Sequence, residues 1–221
     1  MCNLYSISKG QVAIRAWFGV QHDRIGNLPP LPGVFPDYAA PIVRLAEGER
    51  ELKMARWGMP SPVFALKGRA SDSGVTNIRN TGSPHWRRWL GPANRCVVPW
   101  TSFSEYETAE DGKKRPVWFA LDESRPIAAF AGIWTNWTSV RKVKEGEVTT
   151  DVFGFLTTEP NAEVAPIHPK AMPVILTTSE EIETWLRADW KEAASLQRPL
   201  ADGALKIVAR GSRTDEARAE I

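Results

Sequence analysis

Short apolar runs recur along the whole chain, and most have the length and the β-branched or aromatic content of strands. Clusters of glycine, proline, asparagine and serine separate these runs and indicate turns. The predicted strands are Asn3–Ile7, Glu51–Trp57, Arg95–Pro99, Pro116–Leu121, Ile127–Trp134, Thr149–Leu156, Met172–Leu176 and Lys206–Ala209.

Apolar residues at helical spacing are rarer, and they predict only short helices. Serine residues precede two of these segments, as is typical of capping positions, and a serine opens a third. The predicted helices are Gln11–Phe18 with Ser8 as its cap, Pro84–Trp89 with Ser83 as its cap, Pro160–Ile167, and Ser179–Arg187. Residues 26–41 are rich in proline, and residues 58–83 lack a clear period, so both stretches are predicted to be irregular loops.

The order of these elements predicts the fold class. Loops join the strands, whereas a doubly wound parallel sheet needs a regular helix after each strand. We therefore predict an α+β fold, a single β-rich mixed domain with a partly antiparallel sheet core and peripheral helices. This domain is expected to occupy residues 1–211, and the charged residues 212–221 are expected to form a frayed tail.

Composition places the chain among ordinary globular proteins. It has 221 residues, of which 43% are hydrophobic and 24% charged. The longest apolar runs, such as Ile127–Trp134, are too short to cross a bilayer, and the start of the chain lacks the pattern of a secretory signal. We expect a monomeric protein of the cytosol that does not contact membranes.

Charge is unevenly distributed although the net charge is only +2. Residues 67–95 carry six basic residues against one acid, which suits a surface that follows a phosphate backbone. A solvated loop and helix face would give the same pattern. The ten tryptophans are equally ambiguous, because tryptophan fills cores and also stacks on nucleic-acid bases.

The two cysteines have different surroundings in the sequence. Cys96 is followed by Val97 and Val98, which predicts a buried core thiol. Two cysteines and three histidines are too few for a disulfide framework or a structural zinc site, and we expect neither a metal nor a cofactor.

Cys2 directly follows the initiator methionine. Removal of Met1 would leave an α-amine beside a thiol, with reference pKa values of about 8 and 8.5. Such an aminothiol can form an imine with an aldehyde and then close a thiazolidine ring, which an internal cysteine cannot do. On this residue pair alone, an incidental cysteine remains the alternative.

Six sets of segments, in this order, resemble the SOS response-associated peptidase (SRAP) family over about residues 1 to 210. They are Met1-Cys2, Arg56-Trp57-Gly58-Met59-Pro60, Thr76-Asn77-Ile78-Arg79, Arg95–Pro99 with Phe103-Ser104-Glu105, Ala129–Trp134, and Pro160-Asn161 with Ile167-His168 and Met172–Leu176. The resemblance implies a DNA-damage protein that senses abasic sites in single-stranded DNA and traps the ring-opened sugar as a thiazolidine crosslink. It also implies a self-processing peptidase activity that exposes the cysteine, and lyase-like chemistry.

The resemblance assigns the catalytic residues to Cys2, Asn77, Glu105 and His168. The residue types suit these roles, because a partly buried Glu105 could shuttle protons and His168 could protonate a sugar oxygen. Asn77 could hold an amine or a hydroxyl through its amide. Without the resemblance, a surface carboxylate, a packing histidine and a turn asparagine are the ordinary alternatives.

Five residues are expected to contact DNA, and two of them differ from the residues usual in the family. They are Arg79, Arg87, Arg88, Lys170 and Phe64. For Arg79 a surface salt bridge is the alternative. Lys170 stands where the family usually has arginine, within a segment that is one residue longer, and Phe64 replaces a tryptophan often found after the Pro60 motif.

Further departures occur at the start of the chain and around Glu105. Asn3-Leu4 replaces a Gly-Arg pair, and Ser102–Tyr106 departs from the usual Gly-Phe-Tyr-Glu-Trp. Two other functions stay open. One is a Cys-dependent peptidase acting on other proteins through Cys2 and His168. The other is a non-catalytic single-strand binder that uses the basic, tryptophan-rich segment.

Overall fold

The computed structural model of the chain describes residues 2–216, and strands make up most of its regular structure. The strands are β1 (Tyr5–Ile7), β2 (His22–Asp23), β3 (Leu31–Val34), β4 (Ala39–Ala46), β5 (Glu49–Trp57), β6 (Asn77–Ile78), β7 (Arg95–Trp100), β8 (Ser102–Thr108), β9 (Lys114–Ala120), β10 (Ala128–Val140), β11 (Glu147–Thr158), β12 (Met172–Pro173), β13 (Ile175–Leu176) and β14 (Lys206–Arg210). The α-helices are α1 (Gln11–Trp17), α2 (Val63–Leu66), α3 (Pro84–Arg87), α4 (Ser179–Arg187) and α5 (Trp190–Ala193), and 3-10 turns occur at Pro92–Asn94, Val143–Glu145 and Ala194–Leu196. None of the helices in residues 2–216 has the length and apolar character needed to cross a membrane.

Five strands close into a barrel. The antiparallel pairings run from β11 to β10, β7, β4 and β5, and β5 returns to β11 through a parallel pairing of Arg56 with Val152 and Trp57 with Phe153. A second, antiparallel sheet has the strand order β14-β9-β8-β1-β3. The short β6 adds to β11 in parallel. The predicted α+β class with a partly antiparallel sheet is confirmed.

Aromatic side chains join the second sheet to the barrel. Tyr5 of β1 is fully buried, and its ring lies edge-on to Trp57, Phe130 and Phe155 at centroid distances of 5.1, 5.8 and 6.2 Å. Such pairs add about 0.5–1.5 kcal/mol each beyond the burial of their area. The start of the chain is therefore anchored on the barrel wall.

Three expectations about loops and helices are wrong. Residues 58–83, predicted to be an irregular loop, hold the short α2 and β6. Residues 26–41, also predicted to be irregular, hold β3 and the beginning of β4. β3 is the edge strand of its sheet, and Pro32 is accommodated there because a proline on an edge strand need not interrupt the ladder. Pro160–Ile167 forms turns and no helix. Asn161 begins a helical turn, since its side-chain oxygen accepts the Val164 N–H at 3.2 Å and its carbonyl accepts the Ala165 N–H at 2.9 Å. Pro166 stops the helix there, because it has no N–H to donate to the Ala162 carbonyl.

Two polar residues also have other positions than predicted. Ser8 does not cap α1, whose N-cap is Gly10. The backbone N–H and the hydroxyl of Ser8 instead donate to Thr101 Oγ1 at 2.9 and 3.1 Å. Glu105 lies within strand β8, which is not among the predicted strands. The outer half of β8 is polar and partly exposed, which removed the apolar signal from the sequence.

The last described residues are packed, in contrast to the frayed tail predicted from Ser212. Trp118 Nε1 donates to the Ser212 carbonyl at 2.8 Å, and Asp215 is only 3% exposed. Residues 217–221, the rest of that predicted tail, lie outside those that the structure describes.

A loop between β5 and β6 is closed at its base by a tight glycine pair. Met59 and Val75 form an antiparallel bridge, and the buried Arg141 guanidinium donates to the carbonyls of Gly58 and Asp72. Gly74 has a φ of +78°, and a Cβ there would lie 2.0 Å from Arg141 Nη1 and 2.9 Å from Gly58 Cα. This position has room only for glycine.

Gly74→Ala is therefore expected to lower the free energy of unfolding by about 2–4 kcal/mol, from left-handed strain and overpacking together. Chemical denaturation measures this change. Gly68→Ala is the matched control, because Gly68 has a φ of +74° and no atom within 4 Å of the added Cβ. It should cost only the backbone strain of about 1–2 kcal/mol. Equal losses in the two variants would contradict the close packing.

Candidate active site

Cys2 is buried where β1 begins. Its Sγ donates to the Leu4 carbonyl at 3.5 Å, and the same carbonyl accepts the Ser104 N–H at 2.8 Å. β1 pairs with β8 through Tyr5 opposite Phe103. The antiparallel direction of these strands brings the first residues of the chain alongside Ser104 and Glu105.

Asn77 reaches Cys2 from the barrel side. It lies on β6, opposite Phe155 of β11, and is 7% exposed. Its Nδ2 donates to the Cys2 carbonyl at 2.8 Å and to Thr76 Oγ1 at 2.8 Å. Its buried Oδ1 has no hydrogen-bond partner among the residues that the structure describes. This leaves one acceptor available beside Cys2.

Glu105 has an unusual electrostatic environment. It is 2% exposed, and burial raises the pKa of its carboxyl to about 7. Burial also raises the pKa of the Cys2 thiol, and the charge of Glu105 raises it further. The carboxyl and the thiol thus interact directly in a low-dielectric site, where a proton on either group affects the other.

His168 lies on a turn before β12. Its Nδ1 lies 2.9 Å from the Ala171 carbonyl oxygen and 3.2 Å from the Ala171 backbone nitrogen, so the Ala171 backbone orients the ring. Burial lowers the pKa of His168, which favours the neutral imidazole. The neighbouring β12 pairs with β11 at Thr157 and Thr158, just beyond the Phe155 that faces Asn77.

A hydrogen bond, an electrostatic interaction and strand pairing connect these side chains. Asn77 donates to the Cys2 carbonyl, and the charge of Glu105 acts on the Cys2 thiol. His168 precedes β12, and β12 and the β6 that carries Asn77 both pair with the same end of β11.

The basic candidates lie on the surface around this site, with different partners. Arg79 follows Asn77 by two residues and forms an exposed ion pair with Glu159 at 2.6 Å. This is the surface salt bridge that the sequence left open as an alternative. The guanidinium of Arg88 stacks over the Trp89 ring at 4.0 Å. Arg87 and Lys170 are exposed.

Three aromatic side chains of this region divide between core and surface. Trp86 and Trp89 are buried and therefore belong to the core. Phe64 is 82% exposed on α2, in the loop closed by the glycine pair. An apolar ring held out in this way is available to stack on a base.

Thr76 contributes to the site although sequence reasoning gave it no role. Its hydroxyl accepts from Asn77 Nδ2, and it also donates to the Asn3 side chain at 3.3 Å. The sequence signal was its position next to Asn77, which does not reveal a hydrogen bond. Among residues 2–216, no group of three or more His, Cys, Asp or Glu side chains is arranged to hold a metal ion.

Comparison with known proteins gives a consistent family. The sequence model of the SOS response associated peptidase (SRAP) family matches residues 1–211. Abasic site processing protein YoaM of Bacillus subtilis (strain 168) is 35% identical over 164 residues, 73% of this chain and 67% of that protein. Abasic site processing protein YoqW of the same organism is 35% identical over 133 residues, 59% of this chain and 55% of YoqW. The chain thus spans little more than half of YoqW.

Solved structures share the fold. A protein of Bacteroides thetaiotaomicron superposes with a TM-score of 0.71 and 25% identity, covering 93% of this chain and 90% of that one. A protein of Bordetella bronchiseptica superposes with a TM-score of 0.69 and 24% identity, covering 95% and 98% of the two chains. The second likeness is one of fold alone.

Proposed function

The chain belongs to the SRAP family, and from this membership and the site around Cys2 we propose that it senses abasic sites in single-stranded DNA and crosslinks to them covalently. Two relatives named abasic site processing proteins support the substrate class. The observation that carries the proposal is the buried Cys2, whose carbonyl accepts from Asn77 and whose thiol interacts with Glu105. This arrangement holds the amine and the thiol of a processed chain beside one carboxyl and one amide.

The reaction begins once Met1 has been removed and Cys2 carries a free α-amine. The amine attacks C1 of the ring-opened deoxyribose, an aldehyde, and the carbinolamine loses water to give an imine. The Cys2 sulfur then bonds to the same carbon, and the proton of the thiol ends on the imine nitrogen. The product is a five-membered thiazolidine, formed with the net loss of one water.

Glu105 suits both proton transfers in this sequence. With a pKa of about 7, its carboxylic acid can protonate the departing hydroxyl, and its carboxylate can accept the thiol proton. The second transfer is needed because burial keeps the pKa of Cys2 high and the thiolate scarce. We assign the self-processing step to the same carboxylate, which would activate water against the Met1–Cys2 bond.

Asn77 and His168 complete the proposed site. Asn77 Oδ1, which has no partner among the described residues, accepts from the α-amine of Cys2 or from a hydroxyl of the opened sugar. The imidazole of His168 can take the proton of the sugar hydroxyl as the ring opens and return it on release, and its lowered pKa favours the neutral form that this transfer needs. The reaction needs a reduced thiol, which favours the cytosol, and we expect the protein to act as a monomer.

Exposed basic side chains would hold the DNA backbone on either side of the lesion. Replacing Arg87 and Arg88 together with alanine should weaken binding to single-stranded DNA several-fold. The slope of log affinity against log salt should fall by about 1.4, the value for two lost phosphate contacts. Binding measured from 50 to 200 mM salt tests this.

Arg24→Ala is the control, because Arg24 is an exposed arginine that follows β2 and pairs with Glu51 of β5. An unchanged slope in the double variant would show that α3 does not contact phosphate.

Intact-mass measurement tests the proposed function itself. After incubation with an oligonucleotide that contains one abasic site, the protein should gain the mass of the oligonucleotide less one water. A matched oligonucleotide without the lesion should give no adduct. Turnover of an unrelated peptide without any adduct would support the general peptidase, and salt-sensitive binding that ignores the lesion would support the non-catalytic binder.

A further inference from the structure

A buried carboxylate lies behind the two strands that carry Cys2 and Glu105. Asp215 is 3% exposed and belongs to a segment beyond residue 211, where the family match ends. Its Oδ2 accepts the hydroxyl of Ser102 on β8 at 2.5 Å, and its backbone carbonyl accepts the hydroxyl of Ser6 on β1 at 3.2 Å. Its N–H donates to the Pro32 carbonyl of β3 at 2.9 Å. One residue thus joins three neighbouring strands.

The cost of burying this charge is offset locally. Arg125 makes a bidentate pair with Asp215, with Nε to Oδ2 at 2.7 Å and Nη2 to Oδ1 at 2.9 Å. Arg125 has a φ of +53°, which is strained for a residue with a side chain. A strained arginine aimed at a buried carboxylate indicates that the surrounding structure holds Asp215 in place.

The ladder between β1 and β8 is short. It has the residue pairs Tyr5–Phe103 and Ser6–Ser102, and the Leu4 and Ser6 carbonyls accept the N–H groups of Ser104 and Thr101, each at 2.8 Å. Ser6 and Ser102 are direct cross-strand neighbours, both fully buried, and both donate to Asp215. Glu105 is three residues beyond Ser102, about 10 Å along the strand. A slip of one residue between these strands would turn side chains to the opposite face and separate Cys2 from Glu105.

We propose that Asp215 is a positioning residue for the crosslinking reaction, which fixes β1 against β8 through Ser6 and Ser102 and so holds the Cys2 thiol beside the Glu105 carboxyl. This inference rests on the proposed function for its kinetic consequence. Its structural consequence, the placement of Cys2, is independent of DNA. Asp215 itself touches no reacting atom.

The first experiment measures the placement of Cys2 without DNA. In a Ser6→Ala/Ser102→Ala double variant, alkylation of Cys2 by iodoacetamide should accelerate at least tenfold over the native chain, as followed by peptide mass mapping. Cys96 in the same molecule is the internal reference, since it is also fully buried but lies on β7, and its rate should not change. Equal alkylation rates of Cys2 in both proteins would overturn the proposal.

The second experiment measures single-turnover adduct formation against DNA concentration and pH. The maximal rate of the double variant should fall at least tenfold, while the half-saturating concentration of abasic oligonucleotide stays within twofold. The inflection near pH 7 from Glu105 should move toward the ordinary carboxyl range, because the carboxyl becomes hydrated.

Leu52→Ala, a cavity in the fully buried core of β5, lowers stability without touching β1 or β8 and should change neither the maximal rate nor the inflection. If Leu52→Ala changed the maximal rate and the inflection as much as the double variant does, loss of stability alone would explain both results. The proposal would then be overturned. If the native chain formed no adduct, the proposed function would be refuted. The alkylation result would still decide whether Asp215 positions Cys2.

Discussion

A Cys2→Ala variant is expected to form no stable adduct with abasic single-stranded DNA, a loss on the order of 100-fold or more in adduct yield. Alanine at position 2 still allows removal of Met1, so the chain keeps an α-amine that can form an imine. It lacks the sulfur that closes the ring. The imine is reversible, and only reduction with borohydride should trap it. Intact-mass measurement with and without borohydride separates the two steps.

Cys96→Ala is the matched control for this result. Cys96 is a thiol of equal burial on β7, and burial raises its pKa as it does that of Cys2. The control should form the adduct at the native rate although its stability falls slightly. A stable adduct in Cys2→Ala, or its loss in Cys96→Ala, would refute the aminothiol mechanism. Retained salt-sensitive binding in Cys2→Ala shows that the variant is folded.

Glu105→Gln is expected to slow adduct formation on the order of 100-fold, the ordinary contribution of a general acid or base. The native rate should show an inflection near pH 7, where the buried carboxyl titrates, and the variant should lose that inflection. Glutamine preserves the shape of the side chain and removes its titration near neutral pH. A native inflection that persists in the variant would assign the titration to another group.

The same substitution should stabilise the protein at pH 8. Burial raises the pKa of Glu105 from 4.5 to about 7, so the folded state holds a proton that the unfolded state releases at lower pH. Stability therefore falls as pH rises from about 4.5 to 7, by up to roughly 3 kcal/mol. Glutamine removes this loss, and Tm should rise by a few degrees at pH 8 with little change at pH 4.5. A lower Tm at pH 8 would show that the ionised carboxylate is well solvated in the folded state.

Much of this architecture could be predicted from the sequence, since long apolar strands such as β10 and β11 carry a strong local signal. β3, β4 and β8 were not predicted, because Pro32 and Pro41 interrupt the first two and β8 is polar in its outer half. Tertiary pairing decides the structure of these strands. Cys2, Asn77, Glu105 and His168 were identified by family resemblance. Their local sequence contains no information about burial, which sets the pKa of Glu105.

The position of Asp215 shows the limit of local reasoning most clearly. A charged segment at the end of a chain predicts fraying. Whether it packs depends on hydroxyls at positions 6 and 102 and on an arginine at position 125, which are distant in sequence. Only the folded chain brings these groups together.

Closure of the barrel by the parallel pairing of β5 with β11 affects when the site can form. The partners of Cys2 come from residues 77 and 105, and the strand that supports Asn77 is β11, so the pocket assembles only after segments more than 140 residues apart have met. Folds dominated by such distant pairings form late and slowly. A nascent or misassembled copy therefore has an aminothiol without its directing carboxyl and amide. Under the proposed mechanism, the protein can therefore capture an aldehyde productively only after it has finished folding.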